Sequence, residues 1–152
     1  MYSEFVHNFT QNSNSLHTGS GCTMSRKGFT SDFMLDKPNA NNCASEETNN
    51  QGCGLRETKK GTAGDPFNRN NGGVWATEWT DEAISIWFFS RDDIPSDISR
   101  KRPNPNSWGT PSARFAGFNM SKCIQDQHLI FNTLACGTWA EGAWNSGEHF
   151  HG

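Results

Sequence analysis

Three observations predict an all-β fold for this sequence. The apolar content is carried by aromatics, with six Trp and eleven Phe against five Leu, six Ile and two Val in 152 residues. Aromatic side chains bury ~150–250 Å² each and can supply a core that so few aliphatics cannot. The clearest patterned segments alternate with period two, the spacing of a half-buried strand. No amphipathic helix of three turns occurs, and sixteen Asn and fifteen Gly punctuate long connections. A β-sandwich is the expected architecture.

The elements follow in order. Residues 5–18 are rich in Asn, Ser and Thr, with a short strand expected near Ser15 to Thr18. Residues 19–72 read as loop, broken by Gly-Ser-Gly, Asn-Asn, Gly-Cys-Gly and Gly-Asp-Pro. A connection this long is rare in a compact domain unless it is functional or clipped. Three of the five cysteines fall inside it, which favours the clip. Val74–Trp79 and Ala83–Phe89 are β-prone runs separated by Thr80-Asp81-Glu82, so they read as a hairpin. Period two puts Ile84, Ile86 and Phe88 on one face and Ser85, Trp87 and Phe89 on the other. Residues 90–112 are a connection with four prolines and one helical turn near Ile94 to Ile98. Ser112–Phe118 and His128–Leu134 are the last expected strands, the second running into Ala135–Ala140.

Composition excludes several function classes. The length allows one domain at most. Thirteen Lys and Arg against sixteen Asp and Glu leave a net charge of −3, so no cationic surface for nucleic acid is expected. The longest strongly apolar run is Ala83–Phe89, far short of the ~20 residues that cross a bilayer, so no membrane partner is expected. Five cysteines without a CxxC pair suit disulfides in an oxidising compartment rather than a zinc site. Their pairing stays open. The sequons at Asn8 and Asn119 agree with a secreted surface, yet Met1-Tyr2-Ser3-Glu4-Phe5 is not a signal peptide. Lys60–Asp65 lacks the Gly-Lys-Ser/Thr ending of a phosphate loop, and His149-Phe150-His151 reads as a tail. No cofactor and no metal are expected. Trp75 and Trp87 read as core, while Trp139, after a glycine at a strand end, is equally suited to core packing or to stacking on a sugar.

A family resemblance rests on several motifs in order: Leu16-His17-Thr18 with Gly21-Cys22, Asn49–Gly54, Pro66-Phe67-Asn68, Gly72–Thr80, Ile86–Phe89, Ile94-Pro95, Ser107–Pro111, and Phe131-Asn132-Thr133 running to Cys136–Ala140. Together they resemble glycoside hydrolase family 16, in particular the fungal laminarinase-like endo-β-1,3(4)-glucanases. The resemblance implies a concanavalin-like jelly-roll sandwich, an extracellular setting, a monomer, and a partner that is a β-1,3- or mixed-linkage glucan. It also implies a catalytic motif Glu-x-Asp-x-x-Glu, with a nucleophile first and an acid/base last. Such retaining chemistry needs two carboxyls ~5–5.5 Å apart. Counting back from Leu16-His17-Thr18 places the acid/base on Glu4, the Asp position on Met1, and the nucleophile position on no residue of this sequence. The resemblance assigns substrate contact to His17 and Trp139, and leaves Glu78 and Trp79 as structural. Thr138 stands where the family has Asp, and Phe5 where it has Gly.

On this reading residues 1–152 form a partial family 16 domain that starts inside the catalytic motif and lacks the final strand. Three functions compete: an active retaining glucanase, a non-catalytic β-glucan-binding remnant, and an unstable truncated product. The missing nucleophile argues against the first, because no glycosyl-enzyme intermediate can form without it.

Overall fold

The computed structural model describes residues 11–125 and 127–131. Two three-stranded sheets pack face to face. The first has the order β1 (Ser13–Leu16), β3 (Cys53–Arg56), β2 (Asp32–Phe33), all antiparallel. The second has the order β4 (Gly73–Trp79), β5 (Ala83–Ser90), β6 (Ala113–Ala116), also antiparallel. The fold is therefore β, as the aromatic content and the period-two runs require.

The hairpin β4–β5 forms as its sequence dictates. Seven cross-strand pairs run from Gly73 opposite Ser90 to Trp79 opposite Ile84. Thr80 closes the turn: its N–H donates to the Ala83 carbonyl at 2.9 Å, and its Oγ1 accepts from the Glu82 and Ala83 N–H groups. Ile84 and Ile86 point inward beside Phe115 and Ala113 of β6, their register partners. The first sheet contributes Leu55, Cys53, Leu16 and Phe33 from its inner face, and Met24 fills the space between. Phe29 packs edge-on against Phe33 at 5.7 Å, a preferred aromatic geometry.

The long stretch after β1 is stitched rather than free. Disulfides join Cys43 to Cys53 and Cys22 to Cys123. Backbone hydrogen bonds from Ser31 to Ser112 and from Ser25 to Ala116 tie this stretch to the second sheet. The expected clip is present, but the stretch is not loop throughout. It contains β2, β3 and α1 (Gly64–Arg69), whose Phe67 reaches Phe88 at 6.2 Å. Asp65 in the first turn and Arg69 in the last complement the helix dipole. The strand expected at Ser15–Thr18 lies at Ser13–Leu16, and Ser112–Phe118 narrows to Ala113–Ala116.

In the connection 91–112 the helical turn is α2 (Ser96–Ser99). Asp97 anchors it by accepting from the Asn104 N–H at 2.7 Å and the Trp108 indole N–H at 2.9 Å. A further short helix, α3 (Met120–Cys123), is capped by the Asn119 side chain. One expectation fails. His128–Phe131 form no strand, and Leu129, Ile130 and Phe131 are 75–87% exposed. Their β-propensity is not met by a hydrogen-bonded neighbour among the described residues. The rest of that expected strand, with Cys136 and Trp139, lies outside the described residues, as does Glu4. No described helix is long and apolar enough to cross a membrane.

Candidate functional site on the outer face of the first sheet

Strand parity decides what the first sheet shows to solvent. With Leu16, Cys53, Leu55 and Phe33 committed to the core, Ser13, Ser15, Gly54, Arg56 and Asp32 turn outward. The register sets them in rows. Ser13, Arg56 and Asp32 form one row across the three strands. Ser15 and Gly54 form the next, continued by Met34, whose N–H donates to the Gly54 carbonyl at 2.9 Å. His17 follows Leu16 at the end of β1 and lies beside Gly52.

The glycines shape this face. A Cβ on Gly54 would stand 2.6 Å from Met34 Sδ and 3.2 Å from Ser15 Oγ, so the thioether occupies the space a side chain would take. A Cβ on Gly52 would stand 2.4 Å from the Leu16 carbonyl and 3.1 Å from the His17 ring. Gly52 therefore leaves room for the His17 ring to pack against the strand end. The alternation Gly52-Cys53-Gly54 carries both features: period two turns the cysteine into the core and sets the two glycines on the other face, where the His17 ring and the Met34 thioether cover them. In the sequence the same three residues read as turn punctuation, and only the pattern of a small residue at every second position hints otherwise.

The loop after His17 is fixed by Glu47. Its carboxylate accepts from the Asn42 amide at 2.8 Å and from the Gly21 N–H at 3.1 Å. These two bonds, Asn42 first, hold the carboxyl below the ordinary carboxylate range. The inner side of β3 ends differently. Glu57 is fully buried, and its Oε1 accepts from the Thr58 and Lys59 N–H groups at 3.1 and 3.3 Å. Its Oε2 and the Asn14 amide nitrogen have no partner among the described residues. Glu57 faces the interior and takes no part in the outer surface.

The outer face offers hydroxyls, one imidazole, a guanidinium and the Asp32 carboxylate, which suits a neutral ligand rich in hydroxyl groups. Among the described strand residues of this face Asp32 is the one carboxylate, so the face by itself holds no pair for acid/base and nucleophilic work. Of the three residues singled out in the sequence, His17 lies at this face and is exposed, whereas Glu4 and Trp139 lie outside the described residues. Among the described residues no cluster of His, Cys, Asp or Glu has a metal-binding arrangement.

Comparison with known proteins agrees with this architecture. A family profile described as "XgeA-like, catalytic GH16 domain" matches residues 2–151. An endo-1,3(4)-beta-glucanase of Arthroderma benhamiae is 46% identical over 145 residues, covering 93% of this chain and 31% of that protein. Among solved structures, an elongating GH family 16 beta-1,3-glucosyltransferase superposes with a TM-score of 0.68 at 32% identity, covering 79% of this chain and 39% of the other. Laminarinase 16A from Phanerochaete chrysosporium, solved with two β-glucans in donor and acceptor sites, gives a TM-score of 0.62 at 34% identity, covering 74% and 37%. The chain thus spans about a third of the length of the curated relative, and these neighbours share its jelly-roll fold. A match along nearly all of its residues, together with the sandwich and the ordered motifs, places the chain in glycoside hydrolase family 16.

Proposed function

We propose that this chain supplies a β-glucan-binding wall of a secreted retaining endo-β-1,3(4)-glucanase, and that its 152 residues by themselves bind the polysaccharide without cleaving it. The observation that carries the reading is the outer face of the first sheet, where the exposed His17 packs beside Gly52 at the end of a strip that carries Ser13 and Ser15. The names of the relatives agree with the substrate: one is an endo-1,3(4)-beta-glucanase, and another holds β-glucans in its donor and acceptor sites. By the family motif Glu4 is the acid/base, and His17 and Trp139 contact the sugar. The motif register assigns the nucleophile to no residue of this sequence, and a retaining reaction cannot form its glycosyl ester without that carboxylate. The two disulfides support a secretory route. The working unit is a monomer that needs no cofactor.

Two measurements test the reading. Titration with laminaripentaose is expected to change the Trp fluorescence saturably, and a flat response at millimolar sugar overturns the binding role. Reducing-end release from laminarin is expected to match that of Glu4→Gln. Turnover clearly above that control shows that the motif register is wrong.

A second reading has its own observation. Leu129, Ile130 and Phe131 lie open to solvent, and a β-prone apolar segment of this kind promotes association between chains. On this reading the isolated polypeptide is an unstable partial domain. A cooperative thermal transition with sharp near-UV dichroism argues against it.

A further inference from the structure

The second sheet also has an outer face, and none of the chemistry above uses it. Ile84, Ile86, Ala113 and Phe115 turn toward the core, so Glu78, Ser85, Trp87 and Arg114 turn away from it. The register places Glu78, Ser85 and Arg114 in a single row across β4, β5 and β6, with Trp87 one pair further along beside Ala76. The loop from Pro105 to Pro111 and the turn at Gly28 flank this row, and together they line a shallow, open groove of about 500 Å³. Asn106 and Thr110 add an amide and a hydroxyl to its wall.

The groove is held rigid from behind. The Trp87 indole N–H donates to the Gly109 carbonyl at 3.0 Å, which ties the floor to the flanking loop. Trp108 stands edge-on to both Trp87 and Phe89, at 5.3 and 5.6 Å, and is itself bonded to Asp97. A site arranged before its ligand arrives loses less entropy on binding.

The charges select the ligand class. In the row the nearly buried Ser85 separates Glu78 from Arg114, so a carboxylate-bearing and a guanidinium-bearing residue lie on either side of a small central residue instead of side by side. An anion meets Glu78 and a cation meets Arg114. A neutral molecule that both donates and accepts along its length satisfies both, and the vicinal hydroxyls of a glucosyl unit do so. We propose that this groove is a second, non-catalytic saccharide site that takes a short segment of the same glucan chain, on the opposite side of the core from His17. The proposal rests on the β-glucan reading above.

The test is a titration of the ¹⁵N-labelled 152-residue chain with laminaripentaose, followed by NMR at the Trp87 indole, the Arg114 side chain and the His17 backbone. Two groups of shifts are expected, one at the groove and one around His17. Arg114→Ala is expected to weaken the groove response about tenfold and Glu78→Gln about threefold, the cost of losing one charged hydrogen bond each, with the His17 response unchanged. Glu78→Gln keeps the shape of the side chain, so it guards against a folding defect in Arg114→Ala. Shifts at His17 with none at the groove overturn this proposal and leave the glucan reading intact. Shifts at the groove alone support it and remove His17 from the binding face. No shift at either place overturns both, and groove shifts that both variants leave unaltered overturn the assignment of Glu78 and Arg114.

Discussion

Gly52 shows how much a single position can fix. Its φ of 61° lies in the left-handed region, which costs a side-chain-bearing residue about 1–2 kcal/mol. A Cβ there would also meet the Leu16 carbonyl at 2.4 Å, and a backbone oxygen inside a strand pair cannot swing aside. Gly54, two residues on, presents the opposite case. Its Cβ would meet Met34 Sδ at 2.6 Å, but that atom ends a flexible thioether chain that can choose another rotamer. Gly52→Ala is therefore expected to cost about 2–4 kcal/mol and Gly54→Ala about 1 kcal/mol or less. Urea denaturation of the two variants checks the order. The His17 ring resonances should move in Gly52→Ala, because the added methyl would press on the ring. Equal costs at the two positions, or an unmoved His17, would show that the strand end is more pliant than its geometry indicates.

At the level of elements, the connection 91–112 depends on one carboxylate. Partial burial opposes the ionisation of Asp97, but hydrogen bonds from the Asn104 backbone and the Trp108 indole outweigh it and hold the carboxyl below its ordinary value of 3.8. A depressed folded-state pKa gives stability that is present above the unfolded value and is lost as pH falls through the lower folded value. Asp97→Asn is thus expected to lower the melting temperature at neutral pH, with the gap from the parent closing below about pH 4. A gap that stays constant down to pH 2 would assign the loss to packing rather than charge. Elements were legible in the sequence where both local pattern and pairing partner were local. The hairpin β4–β5 was readable because its two runs and its Thr80 turn lie side by side in the chain. β3 was not, because Gly-Cys-Gly looks like a turn, and only distant β1 and β2 make it a central strand. α1 is six residues opened by Gly64, Asp65 and Pro66, too short to show a helical period. His128–Phe131 erred the other way: strong propensity, but no neighbour to pair with among the described residues. The candidate site was legible only through its motif, since neither the spacing nor the type of His17 marks it apart from other exposed histidines.

Across the whole molecule, the two disulfides act at different ranges and differ in access. Cys43–Cys53 closes a separation of 10 residues inside the core, with both partners fully buried. Cys22–Cys123 closes a separation of 101 and joins the loop after β1 to α3, past the end of the second sheet. In the chain-entropy account the longer closure contributes about 4–5 kcal/mol and the shorter about 2–3 kcal/mol. Cys123 is partly exposed, so attack on this bridge needs less opening than attack on Cys43 or Cys53, both buried between the sheets. Graded reduction under native conditions, quenched by alkylation and read by mass spectrometry, is therefore expected to label Cys22 and Cys123 first. The once-reduced chain should keep its sandwich, because hydrogen bonds from Ser25 to Ala116 and from Ser31 to Ser112 still join the loop region to β6. Its free energy of unfolding, from urea denaturation, should nonetheless fall by the larger of the two contributions. Labelling of Cys43 and Cys53 before or together with the other pair would mean that the core between the sheets opens more readily than its burial implies. It would also shift the origin of the stability from the packed sandwich to the long covalent closure.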